Sequence, residues 1–224
     1  MLLQLQKNLI KSDAVMIMDD SPKPICDEID RLCNHAMDSS PASYYFVNHQ
    51  GKSGRGSAIR RGMENALNLF PNLEYMVECD ADGSHRPEDI LRIKNSEDQS
   101  DLLVGSRYLS SSKIVGWPLS RRIFSRILNF AIPKILDVPL ADITNGLRRY
   151  TIRAVREILS EHQTNTGFIY LSEQAQIVKR KNLQITELPI EFIDRTLGKS
   201  TVTWREITAS IRGIFGLMNR SDRK

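Results

Sequence analysis

The first half of the chain alternates short apolar runs with longer segments of helical spacing. Asp13-Ala14-Val15-Met16-Ile17-Met18 is an apolar run closed by Asp19-Asp20-Ser21-Pro22. From about Pro24 to Met37, the residues Ile25, Ile29, Leu32, Cys33 and Ala36 recur at the spacing of one helix face. Ser43 to Val47 is aromatic and β-branched, which predicts a strand. A glycine-rich loop from His49 to Gly56 leads into a second helical pattern carried by Ala58, Ile59, Met63, Ala66 and Leu67. Tyr75-Met76-Val77 is a third strand, a helix opens at Pro87, and Asp101 to Ser106 is a fourth strand. Strands separated by helices predict an α/β fold with a layered, mainly parallel sheet. The second half is less regular. Its pattern predicts a long helix from Leu119 to Leu136, a strand within Asn145 to Tyr150 and a helix over Gly167 to Lys181. An alternating strand from Leu183 to Ile190 and a last helix from about Thr203 to Met218 follow. No linker interrupts the series, so one domain is expected.

The apolar run at Tyr75 ends in Glu78-Cys79-Asp80-Ala81-Asp82-Gly83-Ser84-His85. In an extended segment residues i and i+2 share a face, so Asp80 and Asp82 are expected to aim at one point. Two such carboxylates disfavour each other's ionisation unless a cation lies between them. Oxygen-only ligands suit Mg²⁺ or Mn²⁺. An acidic turn without metal has the same spacing, and the pair alone leaves both readings open. Pro87, Glu88 and Asp89 suit a first helical turn, so the loop joins a strand to a helix. That end of a strand is where open α/β sheets bind ligands. Asp19-Asp20 follows the first strand in the same way, as a ribose or base contact or as an ordinary turn. The stretch Gly51-Lys52-Ser53-Gly54-Arg55-Gly56 is similar to a phosphate-binding loop without its standard spacing. A flexible turn fits it too, and Lys52 and Arg55 favour an anion.

Composition narrows the class. The chain has 224 residues, 41% hydrophobic and 26% charged, as in an ordinary globular protein. Cys26, Cys33 and Cys79 match neither a disulfide framework nor a zinc pattern and read as reduced thiols in a cytosolic protein. The four histidines are scattered, and no segment approaches the length of a membrane span. Net charge is only +4 but unevenly spread. Arg107, Lys113, Arg121, Arg122 and Arg126 fall in a stretch without a single acid, and the segment from Arg195 to Lys224 has seven basic residues against Glu206 and Asp222. Phosphate-bearing partners or solvated faces both account for such clusters. No nucleic-acid module is recognisable, so no nucleic-acid partner is expected.

Four further stretches acquire meaning through their order: Val104-Gly105-Ser106-Arg107-Tyr108, Gly116-Trp117 through Arg121 to Ser125, Asp142-Ile143-Thr144-Asn145-Gly146-Leu147-Arg148-Arg149-Tyr150, and Leu188-Pro189-Ile190-Glu191-Phe192 through Arg195 to Ser200. Together with the Asp80-Ala81-Asp82 segment, this chain resembles the dolichol-phosphate mannose synthase group of inverting family-2 glycosyltransferases, over about residues 13 to 215. The resemblance implies a GT-A fold over residues 1–202, with 203–224 as an amphipathic helix and basic tail of the same domain. It implies a nucleoside-diphosphate sugar as donor, GDP-mannose first among candidates, and a polyprenyl-phosphate lipid as acceptor. Asp80, Asp82 and Ser84 match the metal motif, for Mg²⁺ or Mn²⁺. Asp19, Asp20, Arg55, Asp80 and Asp82 match the donor side. Arg107, Arg121, Ser125 and Arg195 match positions that hold phosphates, and Asp80, Asp82, Arg107 and Arg121 are the expected catalytic set. The protein is expected at the cytosolic membrane face, in peripheral contact; on the last helix Ile207, Ile211, Ile214, Phe215 and Met218 share helical spacing, a stripe that suits the membrane interface or packing on the sheet.

The chain also departs from the family pattern. The family's opening strand, with its nucleotide-binding motif, has no counterpart before Met1-Leu2-Leu3, so the domain is expected to be N-terminally truncated and to expose sheet edges. The turn after the first strand lacks its glycine, Lys23 stands at an acidic position, Asn145 replaces a small residue and Thr201 a lysine. An active transferase and a non-catalytic binding or regulatory relative are the two expectations.

Overall fold

The computed structural model describes residues 1–49, 51, 54–162, 165, 167, 169–194, 213 and 217. Eight strands are present among them: β1 (Ala14–Asp19), β2 (Ser43–Asn48), β3 (Tyr75–Glu78), β4 (Leu102–Ser106), β5 (Lys113–Val115), β6 (Arg148–Thr151), β7 (Ile185–Pro189) and β8 (Glu191–Ile193). The helices are α1 (Leu2–Leu5), α2 (Lys23–Met37), α3 (Arg55–Leu69), α4 (Pro87–Lys94), α5 (Leu119–Leu136), α6 (Ile152–Ser160) and α7 (Tyr170–Arg180). The patterned segments fold as their spacing predicts. The short β5 and β8 carry too few residues to be read in advance; α6 is not among the expected elements, although Ile152, Val155, Ile158 and Leu159 share one helix face. Of the helix expected from Thr203 and the tail, only Gly213 and Leu217 are described; both are helical, and Leu217 is buried in the main core.

The central sheet has the order β3-β6-β4-β7. β6 and β4 are its interior strands, and β4 is the apolar one. Leu102 and Val104 face one layer, Leu103 the other, and all three are buried, as the uninterrupted apolar run requires. The Leu102 layer is closed by Met63 of α3, Ile132 and Leu136 of α5, Ala154, Val155 and Ile158 of α6, and Ala175, Ile177 and Val178 of α7. The Leu103 layer is closed by Ile90 and Ile93 of α4 with Leu147, Trp117 and Phe192. Pro87 starts α4, Glu88 and Asp89 lie in its first turn and Arg92 and Lys94 in its last, so both helix ends oppose the macrodipole.

β6 is the antiparallel member of the mainly parallel arrangement. It runs antiparallel between β3 and β4, while β4–β7, β1–β2 and β5–β8 are parallel. The reason is the path of the chain. Residues 107–147, with β5 and α5, begin at the carboxyl end of β4 and return to the sheet at that same end, where Arg148 lies opposite both Val104 and Glu78. A strand entered from there can only run against its neighbours.

The edge strands of the central sheet are β3 and β7, and β1 and β2 form a separate pair. Among the described residues no ladder joins the β1–β2 pair to the central sheet. Side chains tie the two instead. A Cβ on Gly62 of α3 would lie 3.2 Å from Cγ of Met18 in β1, the next residue, Met63, is in the main core, and Lys94 pairs with Asp13 at 3.0 Å.

Arg148 links this scaffold to the loop beyond it. Fully buried, it donates from Nε to the Asn145 carbonyl (2.8 Å), from Nη2 to that of Ile143 (2.6 Å) and from Nη1 to that of Leu171 (2.7 Å). Arg148→Met removes three buried hydrogen bonds and is expected to lower the free energy of unfolding by about 3 kcal/mol, read as a shifted midpoint in a denaturant titration.

Candidate functional site

The carboxyl ends of β3 and β4 carry two clusters of opposite sign. The acidic one starts at Glu78, the last residue of β3. Its carboxylate is buried and accepts hydrogen bonds from the hydroxyls of Tyr150 (3.0 Å) and Tyr170 and from Nη2 of Arg55 (3.2 Å). Burial first, and then the neighbouring Glu78 carboxylate, push both tyrosines well above their ordinary pKa, so they stay phenols that donate. Arg55, the first residue of α3, also reaches Asp80, Nη1 to Oδ1 at 2.8 Å. Burial opposes its charge, but the Tyr170 oxygen and the Glu78 and Asp80 carboxylates hold its pKa above the usual value.

Asp80 and Asp82 are not on a strand. β3 ends at Glu78, and Gly83 at φ +78° turns the chain, so the alternation expected for an extended segment does not apply. Asp82 Oδ1 accepts the Ser84 N–H at 3.0 Å, a local side-chain turn. The Asp80 N–H donates to Nδ1 of His85 (3.2 Å), whose Nε2 donates to Oδ1 of Asn145 (3.0 Å). Burial lowers the His85 pKa and keeps the ring neutral, in agreement with that tautomer. Asn145, a departure from the family pattern, therefore orients the histidine behind Asp80. Between the acids, burial raises the Cys79 thiol to about 12, with Asp80 and Glu78 adding to the effect, so it is an inert thiol. The hydroxyl of Ser84 is buried without a hydrogen-bond partner among the described residues. The Asp80 and Asp82 carboxylates and this oxygen are hard donors of the kind that Mg²⁺ or Mn²⁺ takes. Among the described residues no group of three or more His, Cys, Asp or Glu side chains converges to hold a metal, so such an ion would need oxygens from a ligand as well.

Asp19 is the last residue of β1, and Asp20 follows it. Asp19 is used locally, accepting from the Ser21 N–H (3.2 Å), the Ser21 hydroxyl (2.9 Å) and Nδ2 of Asn48 (3.3 Å).

The basic cluster is built around Arg107, just past β4. Its side chain is 6% exposed and forks onto Asp142, whose side chain is fully buried, through Nε (2.7 Å) and Nη2 (2.8 Å). Nη2 also meets the Thr144 hydroxyl at 2.7 Å. The guanidinium lies against the rings of Trp117 and Phe192, each 5.2 Å away. Burial opposes its charge, and Asp142 more than restores it. Glu187 of β7 holds the Asp142 loop by accepting from the N–H groups of Ala141 (2.8 Å) and Asp142 (2.9 Å). Arg121 of α5 stacks on Trp117 at 4.1 Å and pairs with Asp194 at 2.8 Å. Gly116, at φ +84°, suits the turn before α5, and a Cβ there would lie 3.0 Å from that of Asp194. The hydroxyl of Ser125 accepts from that of Tyr108 at 2.7 Å. Arg195 lies outside the described residues.

A cleft of about 520 Å³ opens here, lined by Arg107, Arg122 and Arg126 and by Ile114, Leu119 and Ile123. A second, of about 600 Å³, continues along α5 past Arg126 and Phe130 to Lys134 and Lys179. The structure thus draws Arg55, Asp80 and Glu78 together at one end, and Arg107 with Arg122 and Arg126 at the other. Arg122, Arg126, Glu78 and Asp142 were not among the sequence-derived site residues. The four-residue spacing of Arg122 and Arg126, and an acid at the end of the apolar Tyr75-Met76-Val77 run, are signals that identify three of them.

Known proteins resemble this chain over most of its length. The family described as "Glycosyl transferase family 2" matches residues 2–159. An undecaprenyl-phosphate mannosyltransferase of Micrococcus luteus is 30% identical over 193 residues, 86% of this chain and 76% of that protein. A polyprenol monophosphomannose synthase of Mycolicibacterium smegmatis is 27% identical over 212 residues, 93% of this chain and 78% of that protein. A dolichol-phosphate mannosyltransferase of Pyrococcus furiosus is 30% identical over 213 residues, 92% of this chain and 55% of that protein. Among solved structures, glucosyl-3-phosphoglycerate synthase from Mycobacterium tuberculosis, in complex with phosphoglyceric acid, superposes with a TM-score of 0.52 at 14% identity, over 98% of this chain and 82% of its own; that likeness concerns the fold alone. A GT-A scaffold with acidic and basic clusters at its strand ends, matched by the family over most of its length, makes this chain a member of glycosyl transferase family 2.

Proposed function

We propose that this protein transfers a hexose, mannose from GDP-mannose, to a polyprenyl phosphate with inversion at the anomeric carbon. The observation that carries this reading is the cleft beside α5. Three guanidinium-bearing residues, Arg107, Arg122 and Arg126, share it with Ile114, Leu119 and Ile123. A phosphate on an apolar chain needs charge and an apolar wall in one place. The names of the relatives, mannosyltransferases acting on undecaprenyl, polyprenol or dolichol phosphate, support the same acceptor class.

The chemistry follows from charge. The acceptor phosphate is ionised at neutral pH, so one of its oxygens attacks the anomeric carbon without a general base. The bond from that carbon to the donor diphosphate breaks, and its electron pair leaves with the nucleoside diphosphate. What the protein supplies is positioning and screening of two phosphate groups. Arg107, fixed by Asp142, Arg122 and Arg126 would hold the acceptor phosphate, with Arg121 beside them on Trp117. Asp80 and Asp82, with the hydroxyl of Ser84, would hold Mg²⁺ or Mn²⁺, which supplies charge neutralisation for the departing diphosphate. Asp19 and Asp20 lie on the nucleotide side of this arrangement.

The outer face of α5 supports peripheral membrane contact. Leu119, Ile123, Ile127 and Phe130 form one stripe along it, between 53% and 71% exposed, flanked by Arg122, Arg126 and Lys134. An apolar stripe with basic flanks suits the interface of an anionic bilayer. Among the described residues no helix is long and apolar enough to cross a membrane. The cytosolic face is where a nucleotide-sugar donor is available to it.

The ion pair between Arg55 and Asp80 favours a second reading, a non-catalytic relative that keeps the lipid-phosphate cleft. The deciding assay is transfer of labelled mannose from GDP-mannose to a short polyprenyl phosphate with Mn²⁺ or Mg²⁺. Lipid-linked product is expected, and Asp82→Asn is expected to lower its rate by roughly a hundredfold or more. A folded chain that binds polyprenyl phosphate but forms no product from any nucleoside-diphosphate hexose selects the second reading. The double variant Ile123→Glu, Ile127→Glu is expected to lose roughly tenfold in affinity for anionic vesicles by co-sedimentation, with its thermal melt unchanged.

A further inference from the structure

The guanidinium of Arg55 occupies the middle of the acidic cluster. Nη1 lies 2.8 Å from Asp80 and Nη2 3.2 Å from Glu78, and the guanidinium carbon is 5.7 Å from the ring centre of Tyr170. The side chain is 26% exposed, that of Asp80 28% and that of Glu78 4%, so the pairing is largely shielded from water. Gly146 makes the room for it. A Cβ at that position would collide with Nη2 and lie 2.9 Å from the guanidinium carbon. The close approach therefore depends on a missing side chain from the loop that also carries Asp142 and Asn145.

We propose that Arg55 is the internal occupant of the cation position at Asp80, and that its guanidinium must leave Asp80 before a divalent ion binds there. The inference rests on the reading of Asp80 and Asp82 as cation ligands and adds the regulation of that site. A guanidinium and a divalent cation compete for one carboxylate, so the ion pair lowers the affinity for the ion by the free energy of breaking it. Glu78 makes the exchange possible. With two tyrosine hydroxyls donating to it, it keeps hydrogen bonds when Arg55 moves. The guanidinium stands at the amino end of α3, directly after Gly54, whose φ of +85° belongs to a turn rather than the helix. Small rotations there carry the side chain away from Asp80 without unfolding α3.

The test uses Mn²⁺ alone, with the full chain and no nucleotide, followed by the loss of the free-ion signal in electron paramagnetic resonance. Arg55→Met removes the competing charge. Gly146→Ala keeps Arg55 but displaces its guanidinium. Each is expected to bind Mn²⁺ roughly tenfold more tightly than the wild type, and the gain is expected to vanish when Asp80→Asn is added. Thermal melts show which variants fold; if Arg55→Met does not, Gly146→Ala decides. Unchanged or weaker Mn²⁺ binding in a folded variant, beside a wild type that binds, overturns the competition and leaves the cation reading of Asp80 and Asp82 standing. A gain that survives Asp80→Asn also overturns it. No Mn²⁺ binding by the wild type or by either variant overturns both.

Discussion

The buried ion pair between Arg107 and Asp142 is the constraint on which the rest of the site depends. Taking two charges out of water gains little net stability, but removing one partner from such a pair costs about 3–5 kcal/mol. Its effect is geometric. Asp142 Oδ2 accepts from the backbone N–H of Arg107 as well as from its Nε, so the turn after β4 is fixed to the loop that enters β6. Thr144 passes the constraint to Asn129 of α5, whose Nδ2 donates to its hydroxyl at 2.9 Å. Glu187 passes it to β7. Four elements are therefore registered against one guanidinium, and the cleft beside α5 inherits its shape from them.

The two clusters divide the work by sign. Glu78, Asp80 and Asp82 end the acidic side, and Arg107, Arg121, Arg122 and Arg126 the basic side. Between them lie Asn145, His85 and Gly146, which make no ion pairs but set distances. Asn145 bonds His85 behind Asp80 and donates to the Gly105 carbonyl in β4. One amide thus couples the acidic turn to the strand that leads into Arg107. Polar side chains packed this densely behave as a unit, because any one left unpaired would pay its own desolvation.

Much of this was legible in the residues. β4 and α5 follow from an apolar run and a helical period, and their bounds in the fold agree with the pattern. The ordered motifs identified the family, because their spacing reflects which strand ends meet. What was hidden depends on tertiary context. The reversal of β6 follows from the route of residues 107–147, which no local period encodes. The turn at Asp80 is set by Gly83, not by strand alternation. Arg55 seemed an anion-binding residue on a glycine-rich loop, but its partners, Glu78 and Asp80, lie more than twenty positions away. The apolar stripe of α5 was hidden as well, since a hydrophobic face on a helix normally predicts burial, and only the packed structure shows Ile123 and Phe130 exposed.

The central claim is that the cleft between Arg107 and α5 receives a phosphate carried on a polyprenyl chain. Photo-cross-linking tests it most directly, with a short polyprenyl phosphate bearing a diazirine near its head group and peptide mapping of the labelled protein. The account predicts label on residues 107–126, suppressed by unlabelled polyprenyl phosphate. Competed label confined to the α3–β3 side, or spread over the surface without competition, would contradict it.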